Sequence, residues 1–480
     1  MYPSWEHRLP VVLCPELRRL ATIRSMTSTA ELNFRLPWQP RVGEQLPTGW
    51  SVVGRTPRWG GRAWAGSVID RLIGGLVRIL ISLLELAIGG SHINAIEIGS
   101  LIKQRGHDVI IYSPDGPLRE RVAELGLEYV PTGAARLYRP SVAEVRRLNA
   151  LVRERQIDLI HAYEWLPTLE AACGPHLRMG TPVLSTIYSV EVPPFVPRNL
   201  PMIVGYTKEL DIERGRGRSR VYTVVCPVDT EANAPVADRS PARKRFGLRD
   251  DDLAAVVVSR LSVELKREGL LSSIAAVGLL DPALNLRLLI VGDGPCREEL
   301  QDAAGTMNTR LGREAVTLTG PLMDPREAYA AADIVLGMGT SAQKGMAFAK
   351  PVVIQGERGY WETLTPETMP EYLHHNFYGF GDGSDGAPRL AAIVGELARD
   401  RGRWSELGEF GRKTALTVFS NEAAADRVME ICEDVAARPE SSARRAAGAL
   451  HASGLFAGIR VIDLGRRAGA RLRHPVPVRG

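Results

Sequence analysis

Lysine is scarce in this 480-residue sequence: only seven of its sixty basic residues are lysines, and the rest are arginines. Against 55 acidic residues they leave a net charge of +5. No clustered basic face with aromatic platforms interrupts that spread, so no nucleic-acid partner is expected. Cysteine is sparse too. Cys14, Cys173, Cys226, Cys296 and Cys432 are scattered, odd in number and free of CxxC pairs. That pattern argues against a disulfide framework and a zinc site, and favours a reducing compartment. An uninterrupted apolar run of about 18 residues is also missing. The nearest, LIGGLVRILISLLELAIGG at 72–90, carries Arg78, Glu85 and two glycine pairs, and reads as containing a buried strand. The first seventy-odd residues show no signal-peptide core or cleavage site, so a cytoplasmic protein is expected.

Hydrophobic content of 45% and charged content of 24% are ordinary globular values. The length allows two or three domains with sizeable cores. Residues 1–76, rich in Trp, Pro, Arg and Gly without periodicity, read as a disordered extension. From Val77 a regular alternation begins: VRILISLL, a GGS turn, HINAIEIGSLIKQR, then DVIIYSP and further strand–helix pairs. A polar, proline-containing stretch after VYTVVCPVD marks a boundary, and the alternation restarts at LAAVVVSRL. Short apolar strands alternating with amphipathic helices predict βαβ units and parallel sheets. The reading is α/β, with two doubly wound Rossmann-like lobes, 77–230 and 231–423, facing a cleft. A helix over 424–438 follows, and then a basic, partly amphipathic tail over 439–480.

Ligands in such sheets bind beyond the carboxyl ends of the strands. Four groups fall there. The first is Gly89-Gly90-Ser91, a glycine turn opening a helix in the first lobe, able to bring a phosphate close to the backbone. In VSRLSVELKREGL, Arg260 lies just past a strand and Lys266 opens the next helix. Two fixed cations there suit a diphosphate leaving group, whose charge they neutralise without a metal. Gly292-Asp293-Gly294-Pro295 forms a tight turn that reads equally as structural or site-lining. The fourth is GMGTSAQKGMAFAKP at 337–351, whose glycine turn holds a phosphate on the amides near Thr340 and Ser341. Gly337-x-Gly339-x-x-Ala342, with Glu357 after the next strand, also matches a dinucleotide fingerprint, the basis of an alternative reading as an NAD-dependent oxidoreductase. Against it, the motif follows the fourth strand of its lobe rather than the first, and Pro351 cuts its helix short.

GGS after the first strand, RL…ELK…GLL, GDGP…EEL, AAADIVL and MA-F-A-KPVV occur in an order and spacing that resemble family 4 glycosyltransferases of the GT-B fold. The resemblance spans roughly residues 77–435. It implies transfer of a sugar, with retention, from a nucleotide-sugar donor in the second lobe to an acceptor in the first. That acceptor is a carbohydrate, a lipid-linked compound or a small molecule, and the nucleotide sugar is a substrate, so no cofactor is implied. On the same resemblance Arg260 and Lys266 match the diphosphate-binding pair, Gly90 the glycine turn facing the phosphates, and His161 a histidine near the transferred sugar. One departure stands out. The family places two glutamates eight positions apart around this helix start, and here Leu336 and Lys344 occupy those positions. An ammonium has donors only and cannot imitate a carboxylate that accepts from ribose hydroxyls. A catalytically degenerate, nucleotide-sugar-binding or scaffolding member is therefore the second alternative.

Two acidic runs, Asp250–Asp252 and the GDGSDG loop at 381–386, read as solvated carboxylates, and no metal is expected. His374-His375 reads as loop. The tail's apolar positions suit either docking on the body or peripheral contact with an anionic membrane at its inner face, alternatives that liposome flotation with and without 439–480 separates.

Overall fold

The computed structural model describes residues 76–473 apart from 88, 134–139 and 190, with side chains described as far as Ala457. The expected disorder of 1–76 falls outside the described residues, Leu76 excepted.

The first lobe is a seven-stranded, wholly parallel sheet in the order β3-β2-β1-β4-β5-β6-β7. Its strands are β1 Arg78–Ser82, β2 Asp108–Ser113, β3 Glu128–Pro131, β4 Leu159–Tyr163, β5 Val183–Ile187, β6 Met202–Val204 and β7 Val221–Thr223. The central strands are buried almost throughout, which is why β1 (RILIS) and β4 (LIHAY) show no alternation of polar and apolar residues. The second lobe is a six-stranded sheet ordered β10-β9-β8-β11-β12-β13. These are β8 Leu253–Val258, β9 Leu286–Val291, β10 Val316–Gly320, β11 Ile334–Gly337, β12 Val352–Gln355 and β13 Trp361–Thr363. Only the edge strand β13 runs antiparallel.

In each sheet the strand order reverses direction once, between β1 and β4 and between β8 and β11. Those two switch points leave a crevice beyond the strand ends. The first collects the loops after β1 and β4, the second the loops after β8 and β11.

The chain returns to the first lobe at its end. The Val228 amide donates to the Phe419 carbonyl at 2.8 Å, pairing the outgoing and returning segments. Ser420 caps the helix Asn421–Ala437, its hydroxyl accepting from the Ala423 amide at 3.1 Å. Ala425, Val428, Ile431 and Val435 of that helix join Ile79, Ile81, Ile98 and Ile102 in one core cluster.

The tail is a helix, Ser442–Arg473, and its first half docks on the first lobe. Glu440 leads into it, accepting from Asn199 Nδ2 at 2.6 Å and pairing with His176 Nε2 at 3.2 Å. Ala449 and Ala452 are buried, and Phe456 completes an aromatic trio with Trp165 (centroids 5.9 Å apart) and Phe195 (5.2 Å, edge-on). Of the two fates expected for the tail, this half takes the docked one. Among the described residues no helix is long and apolar enough to cross a membrane.

Aromatic pairs of this kind contribute about 0.5–1.5 kcal/mol each beyond the area they bury. Phe456→Ala should therefore lower the melting temperature by about 2–4 °C, read by differential scanning calorimetry. An unchanged value would show that the helix does not dock on Trp165 and Phe195.

Candidate active site

Around the second switch point, Arg260 follows β8 and is exposed, its guanidinium making no hydrogen bond or ion pair among the described residues. Lys266 is half-buried at the N-cap of the helix Arg267–Val277 and likewise has no side-chain partner among the described residues. Burial, and then the neighbouring Arg260 cation, lower its pKa from 10.5 to about 8. The backbone here is supported from two sides. The Gln355 side chain at the end of β12 donates to the Lys266 carbonyl at 3.3 Å. Glu268, in the first turn of the helix, accepts from the Arg358 and Gly359 amides at 2.9 and 2.6 Å.

Gly292 and Gly294 act on the same loop. Both have positive φ, 147° and 155°. A Cβ on Gly292 would stand 1.8 Å from the Ser259 carbonyl oxygen, and one on Gly294 2.5 Å from that of Leu261. The Leu261 amide donates to the Asp293 carbonyl at 2.9 Å. The glycine turn therefore seats the Arg260 loop by close backbone contact, so its structural reading has a definite content.

Just past the neighbouring strand β11, Gly339 is the N-cap of the helix Thr340–Ala347 at φ 54° and ψ −135°, a geometry that strains any residue with a Cβ. Nothing lies within 4 Å of where that Cβ would be, so the space above the turn is open. Thr340 is exposed, and the Ser341 hydroxyl donates back to the Met338 carbonyl at 3.2 Å. Lys344 is the fifth residue of the helix, one turn in from its start rather than at it. It is half-buried and makes no hydrogen bond or ion pair among the described residues. Burial lowers its pKa first, with Asp324, Asp229 and Glu97 opposing and Arg326 reinforcing the shift.

At the first switch point, Gly89 caps the helix Gly90–Gln104 in extended conformation without a side-chain hydrogen bond. Gly90 has nothing within 4 Å of a notional Cβ, which leaves the helix N-terminus accessible to an anion. His161 is elsewhere than expected. It lies inside β4 rather than after it, is fully buried, and bonds Thr186 Oγ1 through Nε2 at 2.7 Å. Burial lowers its pKa to about 3, so it is a neutral core histidine, its ring tilted against that of Tyr163 with centroids 4.4 Å apart. The strand-end position belongs to Glu164, which the sequence reading passed over although DLIHAYE places it where the switch-point rule looks.

The oxidoreductase motif fares poorly. Its helix has eight residues, and Glu357 is engaged by the Tyr378 hydroxyl. Of the acidic runs expected to be solvated, Asp250, Asp251, Asp382 and Asp385 are exposed, the last capping the helix Gly386–Arg399, but Asp252 is buried and accepts from the Arg249 amide at 2.8 Å. Among the described residues no group of three or more His, Cys, Asp or Glu could hold a metal ion.

Solved structures share this two-lobed fold. A glycosyltransferase from Rickettsia africae superposes with a TM-score of 0.60 at 14% identity, over 75% of this chain and 98% of that one. Anabaena HepE in complex with UDP gives 0.59 at 17%, over 75% and 100%. Sucrose-phosphate synthase from Thermosynechococcus elongatus gives 0.55 at 18%, over 74% and 98%. None of the curated proteins matches the chain. The architecture is that of a GT-B glycosyltransferase. Residues 88–232 match Glycosyltransferase Family 4 and residues 253–373 match Glycosyl transferases group 1, together more than half of the chain. The chain belongs to glycosyltransferase family 4 and is a glycosyltransferase.

The Lys266 shift has a sign that can be checked. Its folded pKa lies below the unfolded one, so between about pH 8 and 10.5 the unfolded chain binds more protons, and this group's contribution to stability rises with pH. A diphosphate needs the charged form, so its affinity should run the opposite way. UDP binding by calorimetry should weaken above about pH 8, at the steepest about tenfold per pH unit. Lys266→Arg, charged throughout, should remove that limb. A parallel pH dependence in the two proteins would show that Lys266 does not meet the phosphates.

Proposed function

We propose that this glycosyltransferase moves a sugar from a nucleotide-sugar donor, held by the second lobe, to an acceptor entering from the first, with retention and without a metal. The observation that carries the reading is the pair Arg260 and Lys266: two cations with no counter-ion among the described residues at the β8–β11 switch point, beside the open helix start at Gly339–Ser341. A nucleoside diphosphate supplies the missing negative charge. HepE, which shares the fold, was solved with UDP, which supports a nucleotide ligand. As the glycosidic bond to the diphosphate breaks, charge grows on the leaving oxygen and the two cations stabilise it. The departing phosphate takes the proton of the acceptor hydroxyl on the same face, so the protein contributes positioning and electrostatics. Gly89 and Gly90 offer a second amide-lined helix start from across the cleft. His161, neutral and buried, steadies β4 rather than touching the sugar. The reaction is placed in the cytoplasm, with the arginine-rich remainder of the tail helix beyond Ala457 resting on an anionic bilayer.

A thermal-shift screen with UDP-, GDP-, ADP- and TDP-sugars identifies the donor, because a ligand bound only by the folded state raises the melting temperature. With that donor, Arg260→Ala and Lys266→Ala should each lower turnover by about 10²-fold or more. Near-parental turnover in both variants would refute the diphosphate assignment. Transfer across an acceptor panel separates this reading from the degenerate one, which Lys344 in the place of a ribose-binding carboxylate favours.

Lys344 is read as recruited to the phosphates. Lys344→Glu would set a carboxylate near Asp324, Asp229 and Glu97 as well as the donor. Donor affinity should fall about tenfold, with a shallower salt dependence, by calorimetry at two ionic strengths. Tighter binding would show instead that the chain has merely lost a ribose contact.

A further inference from the structure

Glu164 is held in a backbone conformation that glutamate ordinarily avoids. Its φ of 68° and ψ of 170° belong to a region populated essentially by glycine. Such strain persists only where the surroundings over-determine it, and here they do. The Glu164 amide donates to the Thr186 carbonyl at 2.8 Å, and its carbonyl accepts from Thr168 Oγ1 at 2.8 Å. Its carboxylate accepts from the Tyr188 amide at 3.2 Å and from the Ser189 hydroxyl at 2.9 Å, both just past β5. The Ser91 hydroxyl, in the first turn of the helix Gly90–Gln104, lies beside it.

The carboxylate thus sits on the first-lobe wall of the cleft, where the loops after β1, β4 and β5 meet. It has no ion-pair partner among the described residues, and burial pushes its pKa upward. A half-buried carboxylate without a cation at a switch point is costly for the fold alone. Hydroxyl groups are suited to such a site, since an ionised carboxylate accepts several hydrogen bonds and donates none.

We propose that Glu164 is a specificity-determining residue for the transferred sugar, accepting hydrogen bonds from its hydroxyls and selecting neutral hexosyl donors over hexuronosyl ones. The inference rests on the nucleotide-sugar reading of the cleft. If a donor phosphate lies at the Gly89–Gly90 helix start, the sugar attached to it comes next to Ser91 and Glu164. A second carboxylate brought there, with no cation nearby, meets like charge.

The test compares kcat/KM, at pH 8, for the hexose and hexuronate forms of the nucleotide selected by the screen, UDP-glucose and UDP-glucuronate for uridine. The parent should prefer the hexose by about tenfold or more. In Glu164→Gln that preference should largely disappear, through slower hexose and faster hexuronate turnover, while the melting-temperature shift given by UDP alone stays unchanged. An unaltered preference, or a parent that uses both donors equally, overturns the inference. A second variant distinguishes specificity from support. Glu164→Gly removes the carboxylate but takes the observed φ and ψ without strain, so it should keep or raise the melting temperature and still lose the preference. A drop of more than about 2 °C with weakened UDP binding would make Glu164 a structural clamp and overturn the assignment. A parent that neither binds nor turns over any nucleotide sugar overturns the transferase reading and this inference together.

Discussion

Arg260 and Lys266 repel each other, and the lobe that carries them supplies neither with a counter-ion among its described residues. That unfavourable pairing is the constraint on which the second lobe is arranged. The fold could relieve it by letting the β8 loop swing away into water. Instead Gly292 and Gly294 let two backbones approach closer than any Cβ would permit, and Gln355 and Glu268 fix the other side of the Lys266 turn. The result is a site that is electrostatically incomplete without an anion. On the proposed reading a diphosphate supplies that anion, and the two cations act more strongly as the leaving oxygen develops charge.

The first lobe presents the opposite character. Its switch point offers open helix amides at Gly90, an uncharged buried histidine at position 161, and the Glu164 carboxylate without a cation. Cations lie beyond the strand ends of one lobe and a carboxylate beyond those of the other. A nucleotide sugar has the matching polarity: a charged diphosphate, then a neutral ring of hydroxyls. The returning helix Asn421–Ala437 ties the two halves by burying its apolar face in the first lobe's core while its N-cap remains paired to the linker at Val228.

Most of the fold was legible because it rests on periodicity. Buried parallel strands such as LIHAY and LAAVVV are short apolar runs, and the helices between them carry caps and glycine stops. β13 was not legible: Trp-Glu-Thr is three residues long, and its antiparallel pairing depends on the turn at 356–360 rather than on any pattern. The tail's docking was half legible. Its apolar spots were visible, but their partners, Trp165 and Phe195, lie about 290 and 260 residues away in sequence. Motif order put Arg260, Lys266 and the Gly339 turn beyond the ends of two strands that prove adjacent, β8 and β11. It misjudged His161, because a histidine in the fourth-strand segment reads the same whether the strand ends before it or two residues after. The strain at Glu164 leaves no sequence signal at all, since φ is a tertiary consequence.

Lys344 shows why a substituted motif position has to be read with its surroundings. A lysine in the first turn of a helix opposes the helix dipole, and that conflict alone would call for an anion. The observed position, one turn further in, weakens that argument. The carboxylates of Asp324, Asp229 and Glu97 oppose the burial-driven fall of its pKa without closing an ion pair. Those acids come from the loop after β10, from the interlobe linker and from the first lobe's opening helix. They meet around the ammonium from three separate parts of the chain. A carboxylate at position 344 would be disfavoured by those three acids and favoured by Arg326, which itself pairs with Asp324. The lysine is therefore set among charged neighbours rather than being an isolated change in the motif.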